Sequence, residues 1–255
     1  MGEAVSRAED ADEGRRSARA GDVEGGPGSP GSSGEERPPV MRDLLRALPV
    51  FAGHELAFNV TGAPADPYIL FRSWLKEAIG AGAPEPHVMT LSTVDADGRP
   101  DARMLILKDL SDAGFWFATS ADSSKGRQLG ANPAAALTFY WPLLGRQVRV
   151  RGHVEDASTE QSARDFLARG LGARAVALAS TESSPLASRA ECAAAVEVAR
   201  ARLDELPDLV ATTWTLCVVR AEEIEFWQAD RERQHCRLRY TARRRNRWDR
   251  CLLWP

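Results

Sequence analysis

Lysine is almost absent from this chain: Lys76, Lys108 and Lys125 are its three lysines, beside 30 arginines. Under so strong a bias, a lysine is expected to persist where a compact, mobile ammonium serves better than a planar guanidinium fork. Two of the three close short motifs, Arg103-Met-Leu-Ile-Leu-Lys108 and Ser123-Ser-Lys125-Gly-Arg-Gln-Leu129. Such placement suits an anion such as a phosphate, although from spacing alone two solvated surface lysines are the simpler reading. Cysteine is scarce as well. Cys192, Cys217, Cys236 and Cys251 form no CxxC pair, which argues against a disulfide framework and a zinc site and favours reduced cytoplasmic thiols. His54, His87, His153 and His235 are equally scattered and give no metal-ligand spacing. No apolar run approaches the ~20 residues of a membrane span. Glu3, Arg7, Glu9 and Asp10 stand where a secretory signal would be apolar, so a cytoplasmic protein is expected. The net charge of −3 offers no electrostatic case for nucleic acid.

Residues 1–40 lack Ile, Leu, Phe, Trp and Tyr and are rich in Gly, Pro, Ser and acids. Such a stretch buries too little apolar surface to offset its ordering entropy, and a disordered tail is expected. The folded domain is expected to run from Met41 to Pro255, with 44% hydrophobic residues in the whole chain to build its core.

Asp66-Pro67 opens a helix, with Asp66 as cap and Pro67 in the first turn. Leu70, Phe71, Trp74, Leu75, Ala78 and Ile79 then share one helical face, and Gly80, Gly82 and Pro84 end the element. The period switches to two over Val88–Val94, with Asp95-Ala-Asp-Gly98 as a turn and 102–107 as the returning strand. Further strands are predicted over 114–119, 134–141, 147–154, 214–220 and 223–228, with a last hairpin at 238–240 and 248–253. Helices are predicted over 125–130, 159–169 and 187–206. Hairpin-linked strands with a few helices predict an antiparallel barrel with helical additions.

Eight segments in order carry a family resemblance: Asp66-Pro-x-x-Leu-Phe-x-x-Trp-Leu-x-Glu-Ala78, Asp97-Gly-Arg-Pro100, Arg103–Lys108, Ser123-x-Lys-Gly-Arg-Gln-Leu129, Asn132-Pro133, Arg146-Gln-Val-Arg-Val-x-Gly152, Ile224-Glu-Phe-Trp-Gln228 and Arg233-x-His235-x-Arg237. Over about residues 60–255 the chain resembles the pyridoxine/pyridoxamine 5′-phosphate oxidase family, which includes related FMN oxidases of phenazine biosynthesis. The resemblance implies an α+β, mainly β fold: an FMN-binding split β-barrel with flanking helices, dimerising with FMN between subunits. It implies that Arg103, Met104, Leu105, Ile106, Leu107 and Lys108 line the FMN site, and that Thr119, Ser124 and Lys125 hold its phosphate. Ala118, Gln147, Glu182, Ser183, Trp227 and Arg237 are the other implied flavin contacts. Lys108, Arg169, Arg233 and His235 are implied at the substrate, with Arg233 and His235 catalytic. No metal is implied.

The chain departs from the family pattern at several points. Ser124 replaces an Arg and Glu182 a Gln, and an anion at 182 is expected to repel a phosphate unless it faces solvent. Where the vitamin B6 oxidases hold the substrate phosphate with Tyr, Arg and Ser, this chain has Asp165, Arg169 and Ala173. The family's Trp-Gly-Gly is Trp214-Thr-Leu216, and Gln234 and Cys236 replace Leu and Asp beside His235. The resemblance thus implies an oxidase in which hydride passes from a reduced aromatic or heteroaromatic metabolite to FMN and O₂ reoxidises the flavin to give H₂O₂. Arg233 would orient the ring and His235 take or relay a proton. The alternatives are an ordinary pyridoxine/pyridoxamine-phosphate oxidase and a flavin-binding protein without turnover.

Overall fold

A computed structural model describes residues 40–51, 58–244 and 247–255. The expected tail therefore lies outside the described residues save Val40, and so does His54. Contacts divide the chain at Leu48, with Pro49–Pro255 forming the larger unit. In the smaller unit a short helix, α1 (Met41–Ala47), buries none of its residues.

In the larger unit Asp66 caps α2 (Pro67–Gly80) as expected, its carboxylate accepting the Tyr68 N–H at 2.8 Å. The helix buries Leu70, Phe71, Trp74 and Ala78. Ile79 was expected on that face but is 59% exposed, because it lies ~100° around the helix from Ala78. β1 (Val88–Val94), β2 (Pro100–Ile106), β3 (Asp109–Ser111) and β4 (Gly114–Ser120) follow. Then come α3 (Ser124–Ala131), β5 (Ala134–Trp141), β6 (Arg146–Asp156), α4 (Thr159–Leu167), α5 (Leu171–Ala179) and α6 (Arg189–Glu205). β7 (Trp214–Gln228), β8 (Cys236–Arg243) and β9 (Arg247–Leu252) complete the chain.

All strand pairs are antiparallel, in the order β2-β1-β5-β6-β7-β4-β3, with β8 added beside β7 and β9 beside β8. β7 organises the curled sheet. Its first half pairs β4, its second half pairs β8, and β6 runs along both. The two strands expected over 214–228 are one, with a bulge opposite Arg151/Gly152 at the point read as a break. Only glycine fits at 152, since a Cβ there would lie 2.0 Å from the Arg220 carbonyl oxygen. Alternating residues of β1, β4, β5 and β6 point inward. Phe71, Phe115, Phe139 and Trp141 pack there in tilted and edge-on pairs.

Candidate active site

The structure sorts the residues expected at the site into two groups at opposite ends of β7. Trp214 opens that strand and Trp227 lies near its end. Thirteen residues of straight strand would separate them by on the order of 40 Å.

The first group begins with a cradle between β4 and α3. Ser123 is wholly buried and caps α3, its Oγ accepting the Gly126 N–H at 3.1 Å and donating to the Ser120 carbonyl at 2.7 Å. Thr119 Oγ1 lies 3.2 Å from the same hydroxyl, and Lys125 Nζ donates to it at 3.3 Å. A Cβ on Gly126 would fall 2.3 Å from the Ser120 carbonyl oxygen, so the turn closes only with glycine there. Hydroxyls, an ammonium and the first amides of a helix form a donor set suited to a phosphate monoester. This fits the phosphate of FMN.

The cradle already holds an anion from the chain itself. Lys125 is 6% exposed, and its ammonium donates to the carboxylate of Glu182. Next to it, Ser183 Oγ accepts the Ser124 N–H at 3.2 Å. The expectation that Glu182 would simply repel a phosphate is thus refined: its carboxylate bonds the cation that a phosphate would use. Ser183 holds φ 71°, a left-handed conformation that is costly for a residue with a Cβ.

On β2, Arg103 donates to Thr93 Oγ1 at 2.6 Å and to the Leu91 carbonyl at 3.2 Å, and it pairs with Asp101. Met104 and Ile106 face outward, 62% and 53% exposed. Leu105 and Leu107 turn into the core, and the Leu107 N–H is bonded to the His87 carbonyl at 2.9 Å.

Lys108 is not a free cation either. Its ammonium bonds both oxygens of Asp165, at 2.8 and 2.9 Å. Trp214 Nε1–H also donates to Asp165 Oδ2 at 2.9 Å. The Arg169 guanidinium stacks 4.0 Å from the centre of the Trp214 ring. Arg169 Nη1 is buried without a hydrogen-bond partner among the described residues. Burial lowers the Arg169 pKa while Asp165 opposes the shift, and the group remains a cation. Lys108, Asp165, Arg164, Asp109, Trp116 and Leu216 line most of a neighbouring cavity of about 450 Å³.

The second group gathers on β7, β8 and the turn between them. The His235 ring centre lies 4.8 Å from that of Trp227 and 4.9 Å from that of Phe51. His235 Nδ1 accepts the Asp230 N–H at 3.1 Å. That bond places the ring hydrogen of the neutral imidazole on Nε2, so His235 is set to donate outward. The proton-taking role expected of it would require this bond to break, since Nδ1 carries the ring's one available lone pair. Arg233 is exposed at φ 64°, its N–H bonded to the Asp230 carbonyl at 3.1 Å. Gln147 lies opposite Trp227 across β6 and β7. Arg237 is committed to Glu225 at 2.9 Å and to the Trp254 carbonyl at 2.9 Å, and Arg149 holds the same Glu225 from β6. Burial pushes the Glu225 pKa up, but hydrogen bonds and charge from Arg237 and Arg149 outweigh it and hold the carboxyl below its usual range.

Sequence reasoning missed Ser123, Phe51, Glu225 and the part played by Trp214. Ser123 had a signal, since a Ser three residues before Gly126 at a helix start reads as a cap. Glu225 and Trp214 had none, because their partners are brought to them only by strand pairing and by the packing of α4. Among the described residues no group of three or more His, Cys, Asp or Glu is placed to hold a metal ion.

Comparison with known proteins agrees with this architecture. Residues 75–203 match the pyridoxamine 5′-phosphate oxidase family, and residues 214–255 match the pyridoxine 5′-phosphate oxidase C-terminal dimerisation region. A pyridoxine/pyridoxamine 5′-phosphate oxidase of Burkholderia vietnamiensis is 46% identical over 179 residues, 70% of this chain and 83% of that protein. Its counterpart in Pseudomonas putida is 44% identical over 180 residues, 70% of this chain and 84% of that protein. Among solved structures, PhzG from Burkholderia lata, in complex with tetrahydrophenazine-1-carboxylic acid, superposes with TM-score 0.74 and 28% identity over 79% of this chain and 98% of its own. An FMN-binding protein of Nostoc punctiforme shares the fold at TM-score 0.61 and 18% identity, over 72% of this chain and 97% of its own. This chain belongs to the pyridoxamine 5′-phosphate oxidase family.

Proposed function

We propose that this family member is a homodimeric FMN-dependent oxidase of reduced aromatic or heteroaromatic metabolites, of the dihydrophenazine type. The observation that carries the cofactor is the β4–α3 cradle, in which buried Ser123 fixes the turn and Lys125 would hold a phosphate monoester. Thr119 and the amide of Ser124 would complete it. When bound, FMN supplies the acceptor for a hydride and the means of passing its electrons to O₂.

The chain's own residues then have separate tasks. Arg169, stacked on Trp214, would anchor the substrate from one side. His235, set between Trp227 and Phe51, would present its Nε2–H to the substrate ring, and the exposed Arg233 would reach over it. The spacing of the two groups along β7 argues that no single chain closes a site around one ligand. A second copy would bring its His235 group to the first copy's Arg169 group, in keeping with the matched dimerisation region.

A second reading, oxidation of pyridoxine or pyridoxamine 5′-phosphate, is favoured by the names of the relatives at 46% and 44% identity. The first is favoured by Asp165, a carboxylate standing on the cation that a phosphate would use. No helix among the described residues is long and apolar enough to cross a membrane, and a cytoplasmic location is the reading consistent with the cysteine usage.

The test is oxygen consumption by FMN-loaded protein with a dihydrophenazine carboxylate and pyridoxamine 5′-phosphate side by side. Turnover of the first supports the proposal, and turnover of the second alone refutes its substrate. The shared site is tested by mixing Arg169→Ala and His235→Ala chains. Each variant alone should be inactive, and random re-pairing should restore about a quarter of wild-type activity, because half the dimers then carry one intact site in two. No recovery from re-paired dimers would refute the two-chain site.

A further inference from the structure

We infer that Asp165 is a specificity-determining residue: it cancels the charge of Lys108 and restricts the substrate subsite to ligands carrying at most one negative charge, such as an aromatic monocarboxylate. The inference rests on the oxidase reading and names the charge class of its substrate.

Three observations carry it. First, both oxygens of Asp165 are spent on the Lys108 ammonium, so an incoming ligand meets a neutral pair. Second, the carboxylate is not a loose surface group that a ligand pushes aside. It projects from α4, is 15% exposed, and also takes the indole N–H of Trp214 from β7. Third, the cations and carboxylates lining the adjacent cavity match in number, with Lys108 and Arg164 against Asp165 and Asp109. Arg169 lies beside these residues and has no hydrogen bond to a carboxylate among the described residues, although the charge of Asp165 acts on it as well. Its guanidinium carbon lies 4.0 Å from the centre of the Trp214 ring, and its buried Nη1 still has a hydrogen bond to give. One guanidinium satisfies a planar carboxylate. A phosphate dianion would bring a second negative charge into a cavity whose remaining charges already cancel, beside a fixed carboxylate.

The roles divide accordingly. Arg169 would bind the anionic substituent and Trp214 would hold the guanidinium in place. Asp165 acts through both neighbours: it orients the indole by its N–H and removes Lys108 from competition. It is a positioning and selecting residue, and its test needs a readout that structure alone would not move.

The experiment titrates three ligands built on one ring, pyridoxal 5′-phosphate, 4-pyridoxate and pyridoxal, into wild-type protein and Asp165→Asn. Binding is followed by tryptophan quenching, with and without FMN. Wild type should prefer the monocarboxylate or the uncharged ring to the phosphate. Asp165→Asn keeps the side-chain shape and frees the ammonium, and the preference should move at least tenfold toward the phosphate. Adding Lys108→Gln to that variant should abolish the move. A smaller shift in a variant that melts as wild type does overturns the inference. So does a tenfold wild-type preference for the phosphate, which needs no variant at all. If FMN fails to bind, the oxidase reading falls while the charge preference is still measured. If dihydrophenazine oxidation proceeds but the preference does not move, the charge inference alone falls.

Discussion

Replacing Glu182 by Gln should tighten FMN binding while weakening the cofactor-free protein. Lys125 is 6% exposed and its ammonium is held by the Glu182 carboxylate, whose side chain is 43% exposed. A phosphate bonded to the same nitrogen would stand within about 6 Å of that carboxylate, since each contact spans about 2.8 Å. One pair of unit charges at 5 Å interacts by about 3 kcal/mol at an effective dielectric constant near 20. Glu182 is partly solvated and able to swing outward, so about half of that, 1–2 kcal/mol, is the reasonable share. This corresponds to roughly five- to thirtyfold in affinity. The opposite effect is expected without cofactor, because the substitution leaves a buried ammonium with no counter-charge. Flavin fluorescence quenched on binding gives the affinity, and thermal melts with and without FMN give the stability. The expected pattern is a lower melting temperature alone, a larger rise on adding FMN, and a steeper loss of affinity with salt than wild type shows, because salt then screens an attraction no longer offset by repulsion. An affinity unchanged within twofold, or weaker, would refute the view that Glu182 occupies the phosphate position.

Gly126→Ala should lose FMN binding and cost about 1–3 kcal/mol in urea unfolding, since the new methyl meets two carbonyl oxygens, at 2.3 and 2.4 Å. A variant of unchanged stability that still binds FMN would show that the β4–α3 turn relaxes. Glu225→Gln should cost about 3 kcal/mol at pH 7, because it leaves Arg149 and Arg237 without their shared carboxylate. The folded pKa of Glu225 lies below its unfolded value, so its contribution is present above the unfolded pKa and is lost as pH falls through the folded pKa. The two proteins should therefore converge in urea midpoint as the pH falls below the usual carboxylate range, and a gap independent of pH would refute the charge argument.

Much of the sheet was legible because inward and outward residues alternate along it. β1 and β5 were read to the residue, and Asp66 announced α2 by its capping chemistry. β3 has only three residues, too few to show a period. α5 opens behind Gly170, with no side-chain cap to mark its start. The break read in β7 was a real irregularity, but a bulge interrupts the register of a strand without ending it. The contacts of Ser123, Lys125 and Gly126 are local in the chain, so the cap at Ser123 left a signal that was not used, and Lys125 was placed at an anion only through the family resemblance. Lys108 and Asp165 are separated by 57 positions, and Trp214 by a further 49. No local pattern encodes a contact made by folding α4 against β7.

The scarce lysines end in similar hands with different consequences. Lys108 and Lys125 each meet a carboxylate 57 positions further along the chain. Glu182 follows α5 in a loop exposed throughout, beside a strained Ser183, and has Lys125 as its charged partner. A phosphate with more negative charge and more acceptor oxygens than a carboxylate competes well for that ammonium, and the loop has room to yield. Asp165 is fixed within α4 and tied at once to Lys108 and Trp214, so displacing it would break three hydrogen bonds and expose a stacked indole. The same ion-pair chemistry is therefore displaceable at Lys125 and permanent at Lys108. That difference follows from what holds each carboxylate. It explains how one chain would accept the phosphate of a cofactor while refusing a phosphate on its substrate.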